Sequence, residues 1–119
     1  MVLIYVYTPM KYNYFMYTII ETAIFEKYAA AVWHDDEREA FKGWIAEYPD
    51  AGDVIPKTGG CRKVRWSLDG KGKRGGSRVI YFNRLNSGVI VLLIVYTKAK
   101  FDNLPAAFLK QLKEEAEHG

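Results

Sequence analysis

Cys61 is the only cysteine in the chain, so an internal disulfide framework is impossible and too few thiolates remain for a structural zinc site. A reducing cytoplasm is the expected home. Histidine is nearly as scarce. His34 lies beside Asp35 and Asp36, and His118 sits in an acidic tail, so both read as surface residues and a two-histidine nuclease is disfavoured. The apolar run Val89 to Tyr96 is far shorter than the roughly 20 residues of a membrane-spanning helix, and reads instead as a strand. No membrane association is expected. The opening MVLIYVYTPMKYNYFMYT has no charged start, no long apolar core and no small-residue cleavage site, so it is not read as a signal peptide.

Acidic residues are missing from one place in particular. From Gly59 to Arg84 the chain has eight Lys or Arg and six glycines but one acid, Asp69. The net charge of +3 hides this, because residues 21–53 hold nine acids against three bases while residues 57–113 hold two acids against thirteen bases. Like charges this crowded repel one another in the folded state. A phosphate backbone or an acidic partner would neutralise them, so the segment reads as a polyanion-binding surface.

The chain has 119 residues, half of them hydrophobic, which fits one small domain with a core of its own. Residues 1–15 stand apart, interrupted by Pro9, as either an upstream-start artefact or an added edge strand, and residues 16–119 form the domain. After a short strand near Tyr17 to Glu21, the positions Ile24, Phe25, Tyr28 and Val32 recur at helical spacing. Asp36 with Glu39 resembles a capping box opening a second helix, whose apolar positions are Phe41, Trp44, Ile45 and Tyr48 and which Pro49 and Gly52 end. From there the period changes to two. Strands are predicted at Val54 to Lys57, Cys61 to Leu68, Ser77 to Asn83 and Val89 to Lys98, with Asn86-Ser87-Gly88 as a hairpin turn. Asn103 and Pro105 suit the start of a terminal helix that turns Phe108, Leu109, Leu112 and Ala116 inward. The predicted class is α+β, a small twisted, mainly antiparallel sheet with two N-terminal helices and a C-terminal helix.

Gly70-Lys71-Gly72-Lys73-Arg74-Gly75 satisfies a G-x-G-x-x-G spacing, yet it leads into SRVIYF, a strand by composition. A dinucleotide fingerprint must open a helix that receives the pyrophosphate, and a Walker A loop needs Lys then Ser or Thr where this chain has Gly76-Ser77. No nucleotide cofactor, and no other cofactor, is expected. Alternation says more. On the strand from Cys61 to Leu68, Lys63 and Arg65 point one way and Val64 and Trp66 the other, giving one core face and one cationic face. Two bases at i and i+2 stand about 7 Å apart, near the spacing of successive phosphates along a single strand. Arg62, Lys71, Lys73 and Arg74 add charge beside them, and Arg78 opens the following strand.

Without a histidine pair or an acidic metal cluster, phosphodiester cleavage on this wall must use Lys, Arg and Tyr. A ribose 2′-hydroxyl attacks the adjacent phosphorus, and the protein must take a proton, neutralise the phosphorane oxygens and help the leaving 5′-oxygen. Crowded cations make a neighbouring lysine readier to release its proton, so Lys63 is the candidate base, while Arg65 and Arg78 clamp the phosphate. Tyr81 and Tyr96 are candidates to position RNA or stack on a base, with a core role as the alternative for each.

In the segments IIETAIFEKY (19–28), GDVIPKTGGCRKVRW (52–66), GKGKRGGSRVIYF (70–82) and YTKAKFDNL (96–104) the chain resembles the RelE superfamily of type II toxins, and most closely its HigB branch. The resemblance covers Met16 to about Leu112. It implies a metal-independent messenger RNA endonuclease that acts in the ribosomal decoding site and is held inactive by a cognate helix-turn-helix antitoxin. It also places phosphate-holding residues at Lys63, Arg65 and Arg78, with Lys98 as the approximate counterpart of another, and leaves Lys100 beside them. Where RelE carries a C-terminal catalytic tyrosine this chain reads Asp102-Asn103-Leu104-Pro105, so either Lys98 or Lys100 takes part or the ribosome supplies more of the stabilisation. Two alternatives remain: a gyrase-poisoning, ParE-like toxin, and a non-catalytic RNA- or ribosome-binding module.

Overall fold

The structure is a computed structural model that describes residues 2–10, 13–68 and 76–118, with side chains from residue 17 onward. Strands β1 (Val2–Met10) and β2 (Asn13–Glu21) are followed by helices α1 (Ala23–Val32) and α2 (Asp35–Glu47). Strands β3 (Asp53–Val54), β4 (Arg62–Trp66), β5 (Ser77–Arg84) and β6 (Val89–Tyr96) come next, and α3 (Ala106–His118) ends the chain. The six strands form one sheet in the order β1-β2-β6-β5-β4-β3. Every pairing is antiparallel except β2 with β6. The α+β class expected from the sequence is therefore the observed one.

Each helix start has an identifiable cause. Thr22 caps α1, its Oγ1 accepting from the Phe25 amide at 3.1 Å while donating to the carbonyls of Leu92 and Leu93, so the cap also ties α1 to β6. At α2 the cap lies two residues earlier than the Asp36 and Glu39 spacing suggested. Glu37 reaches back to accept from the His34 amide at 3.0 Å, and Glu39 is drawn away to Lys42 at 2.9 Å. Pro105 precedes α3, its carbonyl accepting from the Leu109 amide at 3.1 Å.

Two apolar clusters cover the two faces of the sheet. On the first, Phe25, Ala29 and Trp33 of the α1 region and Phe41 and Ile45 of α2 pack on Val64, Val79, Tyr81, Leu92 and Val95. The second joins Cys61, Ile80, Phe82, Val91, Leu93, Ile94 and Tyr96 to Leu109 and Leu112 of α3. Side chains of this size each stabilise the fold by about 1.5–3 kcal/mol when fully buried. Strand β6 is buried on both faces from Ile90 to Tyr96, as its continuous apolar run anticipates. An irregularity in the β5–β6 register between Ile80 and Tyr81 skips Leu93, which turns Leu93 and Ile94 toward the same cluster.

Some details differ from the sequence reading. Phe108 is not inward-facing, since Leu109 and Leu112 supply the buried face of α3, and Tyr48 just past α2 is half exposed. The strand expected at Val54 to Lys57 stops at Val54. Pro56 has no amide to donate to a ladder, and Lys57 adopts φ 66°, incompatible with a strand. The turn at residues 86–88 is a short 3-10 helix, Leu85–Ser87, closed by Gly88 in the left-handed region at φ 70°. Among the described residues no helix is long and apolar enough to cross a membrane.

Candidate nucleic-acid interface

Strand β4 separates its side chains as its alternation requires. Val64 and Trp66 belong with the first cluster, while Lys63 and Arg65 face the side that carries α3. The register then extends the cationic face across the sheet. Arg65 stands opposite Arg78, and Arg78 opposite Tyr96, forming a row over β4, β5 and β6. Directly opposed residues in an antiparallel pair have Cα atoms about 5 Å apart, so the two arginine side chains leave neighbouring positions on one face. Lys63, opposite Ile80, is one step along the same face. The helix α3 covers this face only at its other end, where the Cys61 thiol meets the Leu109 carbonyl at 3.7 Å and Leu112 packs beside it.

Among the described residues no carboxylate pairs with Lys63, Arg65, Arg78 or Lys98. Arg65 is exposed, whereas Arg78 is only 6% exposed. Of the five donors on its guanidinium, one makes a long hydrogen bond among the described residues, from Nη1 to the Gly76 carbonyl at 3.5 Å. A buried cation with so little compensation is costly in isolation. Its charge reaches Tyr96, where burial pushes the phenol up and Arg78 pulls it partly back.

The remaining sequence-predicted residues divide. Lys98 and Lys100 lie on the exposed turn beyond β6, where the amides of Lys100 and Phe101 both donate to the Thr97 carbonyl. Lys98 thus sits just past the Tyr96 end of the row, and Lys100 faces α1. Arg62 is corrected: it points to the opposite face, where Nη1 donates to the Gly52 carbonyl at 2.7 Å and Nη2 meets Asp50 at 3.4 Å. Tyr81 is corrected likewise. It is fully buried in the first cluster, accepts from the Gly52 amide and donates to the Pro49 carbonyl, each at 2.8 Å, and so fixes the 49–52 segment rather than touching a ligand. Tyr96, 1% exposed, has no open ring face on which a base of bound RNA could stack. Lys71, Lys73 and Arg74 fall outside the described residues.

Support for the row comes from positions the sequence reading left aside. Trp33 Nε1 donates to Ser77 Oγ at 2.9 Å, one residue before Arg78, and so pins the start of β5. Trp33 itself is held edge-on against Phe25 and Trp66, at centroid distances of 6.0 and 5.6 Å. Farther from the row, the buried Glu21 carboxylate meets Arg38 at 2.7 Å and Lys42 at 3.7 Å, tying α2 to β2. Only the tryptophan at the end of a helical pattern could have hinted at the first contact, and nothing local hinted at the second.

No protein-family model matches this chain. One solved structure it is similar to is an arginine double mutant of the E. coli toxin RelE in the free state, with a TM-score of 0.49 and 12% sequence identity, over 71% of this chain and 85% of that one.

Proposed function

We propose that this chain is the toxin of a type II toxin–antitoxin pair, of the HigB-like branch, and that it cleaves messenger RNA in the ribosomal decoding site. The observation that carries the reading is the row of exposed Arg65 and buried Arg78, flanked by Lys63 on the same sheet face, without a carboxylate partner among the described residues. A phosphodiester supplies the missing negative charge. Two guanidinium groups on adjacent strands suit the non-bridging oxygens, whose charge grows as the 2′-hydroxyl attacks. Lys63 takes the hydroxyl proton from one side. The leaving 5′-oxygen is served by Lys98, by Lys100 or by the ribosome, which single variants of the two lysines distinguish. A cognate helix-turn-helix antitoxin would keep the wall from RNA in the cytoplasm, and the cleavage needs no metal ion.

Expression from a tight promoter tests this directly. Growth should stop at once with loss of translation, and primer extension on polysomal RNA should show new ends inside translated codons. Arg65→Ala is the cleanest variant, because an exposed side chain without an ion-pair partner among the described residues contributes little to stability. It should relieve arrest while unfolding as the wild type does. Full toxicity of both Arg65→Ala and Lys63→Ala at equal expression would remove the proposed cleft. Gyrase-linked DNA breaks with intact transcripts would favour the poisoning reading, and salt-sensitive RNA binding without cut ends the binding module.

A further inference from the structure

Beside the cationic row lies a second feature, a cavity of about 440 Å³ between α1 and the end of β6. One wall is the α1 surface formed by Lys27, Tyr28 and Ala31, positions that share a helix face. The other is Tyr96, Thr97 and Lys100. Phe101 braces both walls, edge-on to Tyr28 at 6.2 Å and to Tyr96 at 5.9 Å between centroids, so the aromatic lining is preformed rather than assembled on binding. Among the described residues, none that lines it is acidic.

Three properties of this space select an occupant. Its volume falls in the range of small-molecule pockets. The partly exposed ring of Tyr28 favours a flat, polarisable group, and two lysine amines at the rim favour one attached to a phosphate. Its Tyr96 side adjoins Arg78, which stands opposite Tyr96 in the sheet. The cavity therefore borders the strand position next to Arg78, with Arg65 one strand farther on.

We infer that the cavity between Tyr28 and Tyr96 is a nucleobase subsite, which takes the base of the RNA nucleotide adjoining the phosphate on the arginine row. The inference rests on the RNA-binding part of the function proposed above and adds a base-reading element to it. Lys27 and Lys100 hold the flanking phosphate, and the Tyr28 hydroxyl and Thr97 offer hydrogen-bond partners to the edge of the base. Lys27 belongs to the acidic half of the sequence, and its role arises only because α1 is laid against β6.

Ala31 is exposed on α1, so Ala31→Trp fills the space without repacking the core, and its thermal unfolding should match the wild type. The purified protein is titrated with a fluorescent RNA trinucleotide, with the same trinucleotide made abasic at one position at a time, and with a nucleoside monophosphate. Wild type should bind the intact trinucleotide about ten-fold more tightly than the abasic form at one position, and Ala31→Trp should abolish that difference while retaining the affinity for the abasic form. Loss of the Tyr28 ring signals from their free positions in the NMR spectrum should accompany binding by wild type only. Equal binding of all trinucleotides by wild type overturns the subsite and leaves the phosphate wall standing. A preference that survives in Ala31→Trp places the base elsewhere and also overturns it. No RNA binding at all removes both the subsite and the proposed function. Monophosphate binding as tight as that of the trinucleotide overturns RNA as the occupant in favour of a free nucleotide.

Discussion

Replacing Tyr81 by Phe separates a structural tyrosine from one that touches RNA. The hydroxyl joins two backbone groups of the 49–52 segment, accepting from the Gly52 amide and donating to the Pro49 carbonyl. Removal leaves the Gly52 amide buried and unpaired. The Pro49 carbonyl still receives Asn83 Nδ2 at 2.7 Å, so the loss falls mainly on one donor. An unsatisfied buried amide costs about 1–3 kcal/mol, which puts the expected destabilisation of Tyr81→Phe near 2 kcal/mol. In urea that lowers the unfolding midpoint by about 1 M at unchanged slope, since no additional surface is exposed. Affinity for a short RNA should not change, because Tyr81 faces the layer of α1 and α2. A stability change below about 0.5 kcal/mol, or a drop in RNA affinity at unchanged stability, would refute the reasoning.

The same segment makes Gly52→Ala disruptive: a Cβ there would lie 2.9 Å from both Tyr81 Cε1 and its hydroxyl and 3.0 Å from the Lys63 carbonyl carbon, so a loss of about 1–3 kcal/mol is expected in urea. Glu21→Gln should cost about 1–3 kcal/mol by thermal unfolding, chiefly through the weakened bond to Arg38, since Lys42 keeps Glu39 at 2.9 Å. Burial raises the phenols of Tyr81 and Tyr96 and the thiol of Cys61 in the folded state. Their contribution to stability is complete below the unfolded values, about 8.5 for Cys and 10 for Tyr, and is lost as pH rises through the folded ones. Denaturation between pH 8 and 11 should therefore become easier, and less steeply so in Tyr81→Phe; a flat profile contradicts this. RNA affinity should fall with the logarithm of salt concentration, with Arg65→Ala reducing the slope by about 0.7, the value for one phosphate contact on a single strand.

Much of the fold is written locally. The helical spacing of Ile24, Phe25, Tyr28 and Val32 and the continuous apolar run of β6 depend only on nearest neighbours, and both elements form where their periods say. The alternation of Lys63 and Arg65 against Val64 and Trp66 is equally local, so the cationic face of β4 is legible from five residues. Arg62 and Tyr81 show the limit of such reading. Strand parity alone sends Arg62 away from Lys63, yet its charge drew it into the candidate set, and only the carbonyl of Gly52 and the carboxylate of Asp50 reveal what it binds.

Composition and period determined the α+β class, the two-sided β4 and the concentration of positive charge in one half of the chain. Tertiary structure alone decided that Arg65 would stand opposite Arg78, since register depends on pairing between strands far apart in the chain. It also laid Tyr28 and Lys27 beside Tyr96, across nearly seventy residues of sequence. Charge and periodicity are properties of neighbours along the chain, whereas a site is made by neighbours in space.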